Sequence, residues 1–117
     1  MNLLLTSQAV RWFRRTNKEL KWKYNRVVPS LAFVHIPVYA TAAFQQVGVD
    51  PERQPGINDD NPLAMQGLDG DKYTEADIPF MTALLETEGL KAVFSGHDHG
   101  DDWYVPRLIT KVHLEIT

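Results

Sequence analysis

The sequence has 117 residues, a formal net charge of −3, 44% hydrophobic and 23% charged residues, and no cysteine. This length and composition fit one globular domain at most, and the small negative charge gives no reason to expect nucleic acid as a partner. The lack of cysteine excludes disulfides and thiolate metal sites, so any metal ion must be held by histidine nitrogen and carboxylate oxygen.

The chain carries no recognisable targeting segment. Its first residues, MNLLLTSQAV, lack the basic region and the apolar length of a signal peptide. No segment is long and apolar enough to cross a membrane. We therefore expect a cytoplasmic location by default, and neither a membrane nor nucleic acid among the partners.

TSQAVRWFRRTNKELKWKY, residues 6–24, predicts the first helix. Thr6 or Ser7 can cap its N-terminus. The stripe predicted to face the core consists of Val10, Phe13, Asn17 and Leu20. Seven of the twelve basic residues lie at positions 11–26, and we interpret them as a solvated helix face.

SLAFVHI, residues 30–36, predicts the first strand. A continuous apolar run between Pro29 and Pro37 is typical of a parallel-sheet strand that is buried on both faces. Residues 47–73 follow with three prolines, four glycines and little periodicity, which indicates a long loop. Eight acidic residues fall at positions 50–77, and we interpret them as exposed.

TEADIPFMTALLETEG, residues 74–89, predicts the second helix. Thr74 and Asp77 form a T-x-x-D capping signal, and Gly89 suits the left-handed position after a helix end. The predicted apolar face consists of Ile78, Met81, Leu84 and Leu85.

LKAVFS, residues 90–95, predicts a second short buried strand that leads directly into GHDHG. After Pro106, RLITKVHLEI alternates apolar and polar residues, which predicts an edge strand at positions 107–116. His113 falls on the polar side of that strand, so we expect it at the surface.

This order of elements predicts an α/β fold in which a βαβ unit places two strands in parallel. His35 lies at the end of the first predicted strand, and His97 and His99 follow the second. Parallel strands end at the same edge of a sheet, where open α/β sheets place their sites. We therefore expect the three histidines to lie close together.

Converging imidazoles can bind a divalent ion such as zinc, manganese or iron. Gly96 and Gly100 allow the backbone to turn sharply beside an ion. The alternative is that the histidines only pack as polar side chains. Asp98, Asp101 and Asp102 are candidates for orienting a histidine through its second ring nitrogen, or equally for capping a turn.

These residues resemble two motifs of the calcineurin-like metallophosphoesterases, most closely the purple-acid-phosphatase-like fungal branch. FVHIP resembles the block with a histidine at a strand end, and SGHDHGDDW resembles the G-H-x-H block. WFRRTNKEL, PGINDDNP and AMQGLDGDKYTEADIPF resemble the helix and the connecting segment of this branch. The chain, residues 1–117, resembles a single partial domain, matched over about residues 6–103, with an unmatched tail at 104–117.

The resemblance implies a partial β-sandwich flanked by helices, and a phosphatase acting on phosphate esters of small molecules or phosphoproteins. In this family two metal ions, often iron with zinc or manganese, clamp the ester, and a metal-bound hydroxide attacks phosphorus in line. Carried over by position, His35 and His97 would bind one ion and His99 the other.

Three further blocks of the family, D-x-H, G-D-x-x-D and G-N-H-D/E, are absent from these 117 residues. With them go the bridging aspartate and most ligands of the second ion. We therefore expect at most one loosely held ion, uncovered apolar strand faces, and little or no phosphatase activity of this fragment alone. The alternatives are a non-catalytic metal-binding or interaction module, which associates with a chain carrying the missing half, and an α/β domain with structural histidines.

Overall fold

Helices and strands follow one another in the predicted α/β order. The computed structural model describes residues 5–42 and 64–100, and the backbone alone of two strands at residues 103–106 and 113–116. The elements in chain order are helix α1 (Ser7–Tyr24), strand β1 (Ser30–Val34), a 3-10 turn (Tyr39–Thr41), strands β2 (Leu68–Asp69) and β3 (Lys72–Tyr73), helix α2 (Ile78–Glu86), and strands β4 (Leu90–Ser95), β5 (Trp103–Pro106) and β6 (His113–Ile116).

Helix α1 begins as the sequence predicts. The Thr6 hydroxyl accepts a hydrogen bond from the Ala9 N–H at 3.2 Å, which satisfies one of the free donors of the first turn. The helix ends at Tyr24. The next residue, Asn25, has a left-handed backbone with φ of 50°, which turns the chain toward β1. Lys21 and Lys23 lie in the last turn, where positive charge is favourable to the helix dipole.

Strands β1 and β4 are adjacent and parallel, which confirms the predicted α/β class. The sheet order is β1-β4-β6-β5, with β6 parallel to β4 and antiparallel to β5. Strands β2 and β3 form a separate antiparallel ribbon. Because β1 and β4 are parallel, the segments that follow them leave the sheet at the same edge.

The predicted edge strand at residues 107–116 is wrong in its position. Strand β6 (His113–Ile116) falls within the predicted range, but it lies inside the sheet between β4 and β5 rather than at its edge. Alternation of apolar and polar residues indicates that the two faces of a strand differ in exposure. It does not indicate whether the strand has a neighbouring strand on both sides. The His113 side chain lies outside the described residues, so its surface position stays a prediction.

The predicted capping signal of the second helix is also wrong. Helix α2 begins at Ile78, and Asp77 makes no side-chain cap bond to it. The hydroxyl of Thr74 donates to the Gly67 carbonyl at 2.7 Å instead of capping the helix. At the other end, Gly89 has the expected left-handed backbone, with φ of 80°, but it lies beyond the position directly after the cap.

The buried face of α2 agrees with the predicted face at Leu84 but not at Ile78 and Leu85. Phe80, Ala83 and Leu84 are buried, whereas Ile78 and Leu85 are 45% and 39% exposed. Both sets contain residues three or four positions apart, so periodicity alone does not distinguish them.

The hydrophobic core lies between the two helices and one face of the large sheet. Its buried members are Val10, Ala32, Val38, Phe80, Ala83, Leu84, Leu90 and Val93. Phe13 of α1 packs edge-on against Phe80 of α2, with ring centroids 6.1 Å apart. These contacts hold both helices against β1 and β4.

Two ion pairs connect the basic face of α1 to the end of α2. Arg14 pairs with Glu86 at 2.6 Å, and Lys21 pairs with Glu88 at 3.0 Å. All four side chains are substantially exposed, so each pair contributes at most about 1 kcal/mol. Neither helix in the described part of the chain combines the length and apolar character that a membrane span requires.

The other face of the sheet is exposed at β1, so the prediction that this strand is buried on both faces is wrong. Leu31 is 54% exposed and Phe33 is 73% exposed, and Phe33 stacks on Phe94 of β4 with centroids 4.9 Å apart. This exposure confirms the expectation of uncovered apolar strand faces. Among the described residues the other sheet is the short β2–β3 ribbon, and the full β-sandwich stays a prediction.

Candidate functional site

His35 directly follows the end of β1, and His97 lies two residues after the end of β4. In the register of this parallel pair, Val34 lies opposite Ser95. The Gly96 N–H then donates to the His35 carbonyl at 3.1 Å, which continues the pairing past the strand ends. The two histidines are therefore fixed side by side at the carboxyl edge of the sheet, as the sequence predicts.

The two imidazoles contact each other. His97 Nδ1 lies 3.2 Å from His35 Nε2, and the rings meet edge-to-face, with centroids 4.9 Å apart and planes at 87°. His97 has a left-handed backbone with φ of 79°, a conformation that costs a non-glycine residue on the order of 1 kcal/mol or more. The turn after β4 thus directs this ring toward His35.

The separation of the two nitrogens fits a pair of ligands on one metal ion. Two nitrogens that each lie about 2.05 Å from a tetrahedral zinc ion are about 3.3 Å apart. The same distance fits a hydrogen bond in which one neutral imidazole donates and the other accepts. The distance thus suits either a hydrogen bond between the two rings or the binding of one metal ion by both.

The third predicted ligand does not complete a three-residue set with this pair. Among the residues that the structure describes, no group of three or more histidine, cysteine, aspartate or glutamate side chains is arranged to hold a metal ion. His99 is exposed, on the turn that follows His97. Its role as a ligand stays a prediction, and Asp101 and Asp102 lie outside the described residues.

Asp98 connects the histidine turn to the connecting segment. Its side chain is buried, and its Oδ1 accepts a hydrogen bond from the Ala64 N–H at 2.8 Å. The sequence suggests Asp98 as a residue that orients a histidine. Its observed contact anchors the turn that carries His97 and His99 to residue 64.

Gln66 and Asp77 hold the chain just after His35. Sequence reasoning did not select either of them as a site residue. The Gln66 side chain donates to the Ile36 carbonyl at 2.8 Å, and Asp77 Oδ2 accepts from the Tyr39 N–H at 2.9 Å. Both residues are almost completely buried. Buried glutamine and aspartate are rare unless they are hydrogen-bonded, so their burial points to these bonds, but no local sequence pattern marks the two positions as buried.

Asp77 also changes the titration of Tyr73. The Tyr73 hydroxyl donates to Asp77 Oδ1 at 2.6 Å. Burial of the phenol, together with this hydrogen bond and the negative charge of Asp77, raises the pKa of Tyr73 above its ordinary value. The phenol therefore stays protonated and keeps donating to the carboxylate over the physiological pH range.

Two curated plant proteins are similar to this chain. One, named "Probable inactive purple acid phosphatase 29" of Arabidopsis thaliana, is 32% identical over 107 residues, which cover 84% of this chain and 23% of the relative. The other, "Probable inactive purple acid phosphatase 14" of the same plant, is 30% identical over 105 residues, with the same coverage of 84% and 23%. The chain thus spans about a quarter of the length of the relatives that it matches.

The other two comparisons found nothing. No family model matches the chain, and no solved structure matches it. The similarity therefore rests on the two plant relatives. This chain has distant sequence similarity to the purple-acid-phosphatase-like proteins, a family of metallophosphoesterases.

Proposed function

We propose that this chain supplies the C-terminal ligand segment of a calcineurin-like metallophosphoesterase domain, and that these 117 residues do not hydrolyse phosphate esters on their own. The observation that carries the proposal is the 3.2 Å contact between His35 Nε2 and His97 Nδ1 at the ends of two adjacent parallel strands. A pair of imidazoles in this position is suited to one ion of a two-metal centre.

The residues have distinct roles in this proposal. His35 and His97 hold one ion, and His99 is a ligand of the second. Metal ions at such a centre supply Lewis acidity and a nucleophile near neutral pH. The protein's own contribution is to hold the two imidazoles at a fixed distance, and the parallel pairing of β1 with β4 serves this purpose.

The missing ligands argue against activity of the chain by itself. The family's carboxylate-bearing blocks do not occur in these 117 residues, and the described residues contain no three-ligand group. Both plant relatives carry "inactive" in their names. We propose that a phosphate ester is the substrate only where the remaining ligands are supplied by other residues.

The exposed sheet face suggests where the rest of such a domain belongs. Leu31 and Phe33, 54% and 73% exposed, present an apolar surface that water solvates poorly. We propose that a second sheet, carried by the missing half of the domain, covers this face. Membership of the fungal branch of the family is likewise only proposed, because the two relatives that match come from a plant.

A non-catalytic metal-binding or interaction module is the second candidate. It is favoured by the names of the two relatives and by a two-histidine contact that, within the described residues, is not part of a three-ligand group. One experiment tests both candidates: metal content and turnover of p-nitrophenyl phosphate are measured on the purified chain with zinc and with manganese.

We expect at most one ion per chain and no turnover above that of the metal alone. Turnover that disappears in His97→Ala would contradict the claim that the chain is incompetent. Complete absence of metal from the purified and zinc-loaded chain would contradict a metal-binding role of the two histidines and leave an interaction module or a structural role.

A further inference from the structure

We infer that residues 64–77 form a brace that sets the distance between His35 and His97, with Gln66 and Asp77 as its positioning residues. This inference rests on the proposed function, because it concerns the same pair of ligands. It goes beyond that function because it assigns positioning roles to side chains that are not among the proposed ligands.

The first contact of the brace fixes the two residues that follow His35. The backbone N–H of Gln66 donates to the Pro37 carbonyl at 2.8 Å, and its side-chain Nε2 donates to the Ile36 carbonyl at 2.8 Å. Gln66 is only 2% exposed. Removing its side-chain amide would leave the Ile36 carbonyl without this buried donor, which destabilises this backbone conformation in particular.

The second contact fixes the 3-10 turn (Tyr39–Thr41), which follows Pro37 in the chain. Asp77 Oδ2 accepts from the Tyr39 N–H at 2.9 Å, and Oδ1 accepts from the Tyr73 hydroxyl at 2.6 Å. The rings of Tyr39 and Tyr73 stack at 3.6 Å with planes 8° apart. Asp77 thus joins the segment after β1 to the segment before α2 through a buried, charge-assisted network.

Gly67 allows the brace to close on itself. Its φ is +83°, and a Cβ at this position would lie 2.8 Å from Tyr73 Cε2 and 3.0 Å from Asp77 Oδ1. Its carbonyl accepts from both the N–H and the hydroxyl of Thr74, at 2.9 and 2.7 Å. No larger residue fits here without displacing the tyrosine or the carboxylate.

The third contact holds Asp98, the residue that follows the other histidine. The N–H of Ala64 donates to Asp98 Oδ1 at 2.8 Å, and Asp98 follows His97 directly. One short stretch of chain, from residue 64 to 77, therefore holds the backbone after both strands. Metal ligands have to be held within about 0.5 Å of their productive positions, and groups that fix ligands from outside the ligand set typically change metal affinity by about 10–100-fold.

A merely structural network would behave differently from a brace. Loss of a structural hydrogen bond lowers the free energy of unfolding but leaves the affinity of the folded fraction for metal unchanged. Loss of a positioning contact weakens metal binding even where the protein is fully folded. Affinity measured on folded protein therefore separates the two.

The test compares Gln66→Met, Asp77→Ala and Tyr73→Phe with a matched control, Thr87→Val. Thr87 also makes a partly buried hydrogen bond, from its hydroxyl to the Ala83 carbonyl at 2.6 Å, but it lies near the opposite end of β4 from His97. Zinc affinity is measured by chelator competition at a temperature where circular dichroism shows each variant to be folded. Tyr73→Phe keeps the stacked ring, so it reports on the network even if Asp77→Ala fails to fold.

We expect the brace variants to bind zinc about tenfold more weakly than the unmodified chain, and Thr87→Val to bind within twofold of it. A second readout needs no metal: the imidazole ¹⁵N resonances of His35 and His97 in the metal-free chain report the contact between the two rings. We expect that signature to be lost in the brace variants and kept in Thr87→Val.

The two readouts distinguish failure of the function from failure of the inference. If the unmodified chain binds no zinc, the proposed function fails, and the ¹⁵N signature alone decides whether the brace positions the pair. If folded brace variants keep both the affinity and the ¹⁵N signature of the unmodified chain, the brace is only structural and the inference is overturned.

Discussion

His35 Nε2 and His97 Nδ1 lie 3.2 Å apart, although the two residues follow different strands of the sheet. Their contact depends on the parallel register of β1 and β4 and on the left-handed backbone of His97. The register brings the two residues to the same edge, and the turn directs one ring toward the other. The ring contact is therefore a product of the fold as well as of the two side chains.

Gly67→Ala should destabilise the chain more than Gly70→Ala. Both glycines have a positive φ, +83° and +58°, but a Cβ at residue 67 meets the Tyr73 ring at 2.8 Å, whereas a Cβ at residue 70 meets nothing within 4 Å. We expect Gly70→Ala to cost about 1 kcal/mol from backbone strain alone and Gly67→Ala about 2–3 kcal/mol. Urea unfolding followed by circular dichroism measures both, and equal costs would argue against a tightly closed brace.

Tyr73→Phe should remove a pH-dependent part of the stability. The pKa of Tyr73 is raised in the folded chain, mainly by burial and by Asp77, whereas in the unfolded chain it is about 10. Because the folded state keeps the proton longer, the contribution is complete below about pH 10 and is lost as the pH rises further. We expect the unmodified chain to exceed Tyr73→Phe by about 1 kcal/mol at pH 8, with the gap narrowing above pH 10. A gap that widens with rising pH would contradict the assigned direction.

Leu84→Ala and Leu85→Ala should differ strongly although the residues are adjacent. Leu84 is 1% exposed and belongs to the core, whereas Leu85 is 39% exposed. We expect a cost of about 2–5 kcal/mol for Leu84→Ala and below about 1 kcal/mol for Leu85→Ala. The midpoint of thermal unfolding checks the difference, and the reverse order would contradict the place of Leu84 in the core.

Phe33→Gln should reduce self-association without loss of stability. Phe33 is 73% exposed and stacks on Phe94 across the sheet, so the uncovered face should associate with other apolar surfaces at high concentration. Sedimentation velocity over a concentration series measures the effect, with Leu85→Gln as the control for an exposed leucine on a helix. Equal self-association of the two variants would show that the chains do not associate through this face of the sheet.

The class of the fold and the meeting of two histidines follow from local sequence patterns. Two apolar runs joined through a helix predict a parallel pair, and strand-end positions then bring His35 and His97 together. The roles of Gln66 and Asp77 depend on contacts between segments distant in sequence, and no propensity or spacing encodes such contacts. For Asp77 the tertiary bonds to Tyr39 and Tyr73 replaced the helix cap that its position suggests.

The exposed face of β1 could not be predicted from its composition. An apolar run indicates a strand that is buried on both faces in a complete domain. It does not report whether the covering layer is present in the chain at hand. Leu31 and Phe33 have the residue types of a buried strand, yet both are exposed here.

The central claim is that His35 and His97 share one metal ion, and zinc binding to the folded chain tests it most directly. The unmodified chain, His35→Ala, His97→Ala and the double variant are titrated with zinc under the same conditions. Because both imidazoles would bind the same ion, we expect each single variant to lose at least about tenfold in affinity and the double variant to lose less than the product of the two losses. Single variants that bind zinc as tightly as the unmodified chain would contradict the account.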